Sequence, residues 1–309
     1  MKEARVLAVR PRGVARRITA DFLALTKPKI SALVALSAFV GGLLAAGPDA
    51  ALLRVAEAAL WITCTAASAS TLNQVLERDV DRRMRRTEDR PLPSGRVSPR
   101  DAILLGAGLA AAGVAGLALR FNVLSALLAL ATLFVYVAVY TPLKRVSTLN
   151  TVVGAIPGAA APLLGCVALS GTAHGWGLSL SAVLFAWQFP HFMAIAWLHR
   201  EDYARAGLRM LPALPGCESV AGRAACAYGL ALLPVSILPA VRGEAGIVYA
   251  AGAAVLGLLY LLASARFAWR RDERSARSLL FVSLLYLPLL YVLVLSDPVV
   301  GVGALHGFP

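Results

Sequence analysis

The sequence predicts an all-α fold: a polytopic membrane protein with nine transmembrane helices in a single bundle. Three observations predict it. The chain has 309 residues, of which 59% are hydrophobic and 15% charged, with a mean hydropathy of +0.71. Soluble domains average roughly 45–50% apolar and 25% charged residues, so soluble and disordered classes are excluded. The apolar residues gather into nine runs, each close to the length of about 20 that spans a bilayer. The basic residues lie almost wholly between alternate runs.

The runs fall near residues 30–47, 51–72, 102–119, 122–140, 150–170, 176–198, 222–241, 245–265 and 278–296. Residues 1–29 hold eight Lys and Arg, 77–101 eight, 141–149 two, 199–223 four and 266–277 five. The opposite side has only Arg54, Arg120 and Arg242. Positive charge is retained on the cytoplasmic side. The split therefore predicts a cytoplasmic N-terminus in a bacterial-type inner membrane, with residues 77–101 and 199–223 on that side. A net charge of +13 would suggest nucleic acid in a soluble protein. Its placement between apolar runs points to topology instead. Cys64, Cys166, Cys217 and Cys226 form no C-x-x-C pair and read as small hydrophobes. Residues 1–19 read as a basic cytoplasmic tail that could touch anionic lipid, ahead of one membrane domain over 20–309.

Acidic residues have little to do with orientation, so acids in the long basic connections need another cause. Asn73, Glu77 and Asp81 are spaced by four. On a helix continuing the second run they stack on one face, whereas Asp79 faces elsewhere. One amide and two carboxylates make a row of oxygen donors for a hard cation. Mg²⁺ typically takes one or two carboxylates and completes its shell with substrate phosphate oxygens. Arg82, Arg83, Arg85, Arg86 and Arg90 follow, and guanidinium groups bind phosphate bidentately. Together these are the groups a diphosphate substrate requires. The competing reading is a solvated helix end with local ion pairs. Pro91, Pro93 and Gly95 then end the helix.

Glu201 and Asp202 fall on the same side as this row and offer a second acidic site, so that a diphosphate would lie between two metal ions. Tyr140 and Tyr203 border the region. Lys144 and Arg145 stand at a boundary, where topology alone would explain them. His191 lies inside an apolar run after Pro190. Intramembrane ionisable groups are costly and tend to be functional. His191 reads either as a ligand or contact for an iron-bearing group, or as the partner of a carbonyl freed by Pro190.

The stretch N-x-x-x-E-R-D-x-D-x-x-M-x-R-T-x-x-R-P-L-P-S-G-R over 73–96 resembles the first signature of UbiA-type intramembrane prenyltransferases, and of their heme-prenylating branch in particular. Y-T-x-x-K-R-x-S-x-x-N-x-x-x-G over 140–154, W-Q-F-P-H-F over 187–192 and Asp202-Tyr203 with Ala206-Gly207 resemble the same branch. Likeness runs from about residue 20 to 295. It departs at Glu77, where members commonly have Asp, and at Arg209, where they usually have Pro. The resemblance implies transfer of a farnesyl group from farnesyl diphosphate to a vinyl group of heme b. It implies Mg²⁺ as cofactor, held by Asn73, Glu77, Asp81, Glu201 and Asp202, with Asn73, Glu77, Asp81 and Asp202 catalytic. Arg86, Arg90, Lys144, Arg145, His191 and Tyr203 would contact substrates. Heme-copper oxidase assembly or heme A synthesis machinery would be partners, beside the lipid bilayer. The alternatives are a UbiA-type enzyme with an aromatic or quinone-precursor acceptor, a transporter, and a heme-binding assembly factor. The transporter is disfavoured because the acids cluster at one surface rather than mid-span.

Overall fold

A computed structural model describes residues 11–46, 51–173 and 175–299. His174 and His306 lie outside the described residues. Among those described there are nine helices long and apolar enough to cross a membrane: Pro28–Ala46, Leu52–Leu76, Pro99–Arg120, Val123–Leu143, Asn150–Ser170, Gly175–Leu198, Glu218–Val241, Ile247–Arg270 and Glu273–Ser296. They coincide with the nine expected runs. Several extend a turn or more beyond them at the basic ends, because polar residues there continue the helix without needing burial.

The helices form two packed groups. The first five spans enclose one apolar cluster around Ala38, Ala58, Ile62, Leu117, Ala129 and Leu164. The last four enclose a larger one around Leu180, Trp187, Tyr249, Tyr260, Leu279 and Tyr286. The first and fifth spans touch backbone to backbone. A Cβ on Gly41 would sit 2.1 Å from the Pro162 carbonyl oxygen, and one on Gly165 2.0 Å from that of Ala38. Such small-residue contacts replace the hydrophobic drive that lipid removes. The groups meet where the fifth span packs on the sixth, and where the Tyr291 hydroxyl of the ninth donates to Ser37 Oγ of the first at 2.8 Å.

Two expectations are corrected at the basic end. The second span does not continue unbroken through the acidic row. It ends at Leu76, Glu77 takes φ −95° and ψ 5°, and a short helix follows over Arg78–Asp81. The chain then turns well before Pro91 rather than at it. The cause is tertiary: Leu92 and Val97 are buried with Leu25 and Ala102, which pulls the connection back under the bundle. Ahead of the first span, Pro11–Leu25 is helical. Asp21 on that helix receives Arg96 Nε at 3.0 Å.

The basic connections converge on one another. Arg145 Nη2 donates to the Leu76 carbonyl at 3.2 Å. The Arg209 N–H donates to the Lys144 carbonyl at 2.7 Å. At the other end Arg54 and Arg120 pair with Glu57 at 3.3 and 2.7 Å, and Arg242 with Glu244 at 3.3 Å. The three arginines that depart from the charge asymmetry are thus each met by a carboxylate.

Candidate active site

The break at Glu77 leaves the spacing of the acidic row intact. The Glu77 N–H still donates to the Asn73 carbonyl at 2.9 Å, and Asp81 N–H to that of Glu77 at 2.7 Å. Asn73, Glu77 and Asp81 therefore share a face and are all buried, whereas the Asp79 side chain is 78% exposed. A solvated helix end would show the reverse.

Each residue of the row offers one oxygen to a cation from elsewhere in the chain. Lys27 Nζ donates to Asn73 Oδ1 at 3.2 Å. Lys144 Nζ donates to Glu77 Oε1 at 2.9 Å. Arg90 Nη1 donates to Asp81 Oδ2 at 2.9 Å. The Asn73 amide is oriented by its other end, since Nδ2 donates to Thr141 Oγ1 at 3.0 Å. That hydroxyl spends its proton on the Tyr136 carbonyl at 2.8 Å. Thr141 follows a π-helical segment, Val135–Tyr140, in the fourth span. Such bulges re-aim side chains, frequently at functional sites. Here Tyr140 also lies 4.4 Å beneath Lys144 Nζ.

Burial sets the electrostatics. It lowers the Lys27 ammonium to about 8, and the like charges of Lys144 and Arg90 act in the same direction, against Glu77 and Asp81. It raises the Asp81 carboxyl above its ordinary value. The Arg90 guanidinium opposes this, and the Glu77 charge adds to it. Both shifts disfavour the charged form of the group, the effect expected of desolvation by burial.

The second acidic loop faces the first. The Arg85 N–H donates to Asp202 Oδ1 at 3.3 Å, and Arg205 Nη1 pairs with the same oxygen at 3.3 Å. Arg86 Nη2 donates to the Tyr203 hydroxyl at 3.4 Å, with the guanidinium carbon 5.8 Å from that ring. Asn150 Nδ2 donates to the Arg209 carbonyl at 2.9 Å. Glu201 is exposed. The structure therefore brings together Asn73, Glu77, Asp81, Arg90 and Lys144. It links Asp202 and Tyr203 to them through Arg85 and Arg86, sets Arg145 against the end of the second span, and leaves Glu201 outside. Among the described residues no three His, Cys, Asp or Glu side chains gather closely enough to hold a metal ion. The two row carboxylates stand a helical turn apart. The donor set nevertheless fits Mg²⁺, because it is all hard oxygen, it already draws positive charge, and Mg²⁺ needs few carboxylates when phosphate completes the shell.

Lys27 and Thr141 meet the candidate site through Asn73 and were missed by the sequence reading. Lys27 counts there as one more topological charge. The signal was the Lys-Pro pair, since Pro28 opens the first span and Lys27 turns into it with φ +49°.

His191 lies in the sixth span, seven residues from its Leu198 end, or about two turns into the bundle. Its Nδ1 is 2.7 Å from Ser283 Oγ. Its partner is thus a hydroxyl on the ninth span, not the carbonyl freed by Pro190. The ring stacks on Trp187 at 4.6 Å between centroids.

Residues 34–285 match the UbiA prenyltransferase family. A protoheme IX farnesyltransferase of Solibacter usitatus (strain Ellin6076) is 44% identical over 289 residues, covering 90% of this chain and 98% of that one. A solved digeranylgeranylglyceryl phosphate synthase superposes with a TM-score of 0.74 at 17% identity, covering 94% of this chain and 99% of that one. A UbiA homolog from Archaeoglobus fulgidus, solved with GPP and Mg²⁺, superposes with a TM-score of 0.66 at 20% identity, covering 89% and 99%. With the family match covering most of the sequence and a full-length relative at this identity, the chain belongs to the UbiA prenyltransferase family.

Proposed function

We propose that this protein transfers a farnesyl group from farnesyl diphosphate to a vinyl group of heme b, releasing diphosphate. The observation that carries the reading is the row of buried oxygens with a cation at each: Asn73 with Lys27, Glu77 with Lys144, Asp81 with Arg90. It stands at the basic end of an apolar bundle. The relative's name gives a farnesyl group as what is transferred and protoheme IX as the acceptor, which supports the reading.

Asn73, Glu77, Asp81 and Asp202 would hold Mg²⁺, which supplies neutralisation of the leaving diphosphate. Glu201, being exposed, would sit at the rim of that site. Lys27, Lys144, Arg90, Arg86 and Arg145 bind the phosphate oxygens, the buried ones through already desolvated ammonium and guanidinium groups. The C–O bond at the allylic carbon breaks and its electron pair leaves on the diphosphate. The bundle excludes water from the allylic cation, and the ring faces of Tyr140 and Tyr203 border it. The heme vinyl group attacks the cation through its terminal carbon. Water then adds to the carbon next to the ring and loses a proton, leaving a hydroxyl. His191, about two turns deeper, contacts the heme. The charge asymmetry supports a cytoplasmic N-terminus and a site on the cytoplasmic face of the inner membrane, where heme A synthesis or oxidase assembly would receive the product.

The test is one incubation of membranes containing this chain with heme b and farnesyl diphosphate, with and without Mg²⁺. Extracted hemes are weighed by mass spectrometry. A magnesium-dependent hydroxyethylfarnesyl heme is expected. Prenylation of a phenolic acceptor without any heme product would overturn the acceptor and keep the diphosphate site.

A further inference from the structure

The surroundings of His191 place a proton on Nδ1. Ser283 Oγ lies 2.6 Å from the Leu280 carbonyl. A carbonyl only accepts, so the single hydroxyl proton points there. His191 Nδ1, 2.7 Å from the same oxygen, can then bond only by donating to its lone pair. A neutral imidazole has one N–H. With that proton on Nδ1, Nε2 carries a lone pair. No side chain or carbonyl among the described residues partners Nε2, and it is not one of the buried orphaned atoms. Nε2 is thus unpartnered and not fully buried, about two turns from the Leu198 end of the sixth span.

The ring plane is fixed as well. Trp187 stacks on it with an interplanar angle of 21°. Trp187 is itself pinned, because its Nε1 donates to the Ser283 carbonyl at 2.9 Å and its carbonyl accepts from the Tyr260 hydroxyl at 2.7 Å. Ser283 thus holds the imidazole through its hydroxyl and the stacking partner through its carbonyl. Metal-bound histidines characteristically donate their second nitrogen in this way, which fixes tautomer and orientation.

We infer that Ser283 is a positioning residue for the acceptor: it locks His191 as the Nδ1–H tautomer and aims Nε2 at the iron of heme b. The inference rests on the heme-acceptor reading and adds iron coordination to it. His191 would then be a ligand to the heme iron that orients the acceptor, not a group that moves protons.

The experiment titrates purified full-length protein in detergent with ferric heme b and follows the Soret and visible bands. The variants are Ser283→Ala, Ser283→Thr, His191→Ala and the double variant Ser283→Ala with His191→Ala. Farnesyl diphosphate binding, measured separately, reports that each variant is folded. The wild type is expected to give an imidazole-ligated spectrum that His191→Ala abolishes. Ser283→Ala is expected to weaken heme binding about 10–100-fold, the range for loss of a ligand's supporting hydrogen bond. It should add nothing once His191 is gone, and Ser283→Thr, if it binds farnesyl diphosphate, should restore the ligated spectrum. An unchanged spectrum and affinity in a folded Ser283→Ala protein would overturn the inference. So would a wild-type spectrum that ignores His191→Ala. Either result, with heme product still formed, leaves the farnesyl transfer standing, whereas absence of any heme product removes the reading beneath both.

Discussion

Two polar regions occupy this apolar bundle, and they are assembled differently. At the basic end, Asn73, Glu77 and Asp81 follow one another at intervals of four along one short stretch, and Lys27, Lys144 and Arg90 arrive from three other places to meet them. In the C-terminal half, Trp187, His191, Tyr260 and Ser283 come from three spans, and no two of the spans contribute by a spacing rule. The first region pairs charges near water. The second satisfies neutral donors and acceptors inside the core. Charge is therefore concentrated where the diphosphate would lie. Deeper in the bundle, where charge is most costly, the chain uses single hydrogen bonds and ring stacking.

Changes on the charged side should be the more severe. Asp81→Asn removes the carboxylate that meets Arg90 at 2.9 Å. Product formation should fall by at least about 10²-fold, the scale for one electrostatic contact to a transition state. Mass analysis of hemes from membranes with equal amounts of inserted protein checks this, and near-normal turnover would remove Asp81 from the mechanism. Glu77→Gln leaves the Lys144 ammonium, whose side chain is 13% exposed, facing a neutral amide. The folded state should lose about 3 kcal/mol, as when one partner of a buried pair is deleted, seen as a lower unfolding temperature in detergent. Glu77→Asp, which restores the charge common in the family, should recover most of it.

His191→Ala should act on the second region alone. Heme use should weaken at least about 10–100-fold, no less than on loss of the supporting Ser283 hydrogen bond, while farnesyl diphosphate binding is unchanged. A matched loss of both affinities would show that the two regions are coupled rather than separate. The smallest effect is expected from Arg209→Pro. It installs the residue usual in the branch but deletes the N–H that donates to the Lys144 carbonyl at 2.7 Å. About 1 kcal/mol of stability should be lost, the net value of one hydrogen bond, with little change in turnover. A large loss of turnover would mean that this bond positions Lys144 against Glu77.

Much of the site was legible because it is local. The spacing of Asn73, Glu77 and Asp81 survives the helix break, since the hydrogen bonds around Glu77 keep their four-residue step. Asp79, expected to face elsewhere for the same reason, is exposed. Glu201 was grouped with Asp202 because the two are adjacent, yet adjacent residues on a helix point in different directions. Asp202 meets Arg85 while Glu201 is exposed. Lys27 was passed over because a basic residue before a span has a sufficient topological explanation. Only its contact with Asn73 gives it a second one.

By itself the sequence determined the membrane class, the nine spans, their alternation of charge and the face shared by the acidic row. Each follows from short-range rules: the apolar length that crosses a bilayer, the cost of moving basic groups across it, and the pitch of an α-helix. Tertiary structure alone decided that the second span stops at Leu76, which cations meet the row, and that His191 bonds Ser283 across 92 residues. Those outcomes depend on which buried polar groups must find partners, and in a bundle the partner is set by the packing of helices distant in sequence.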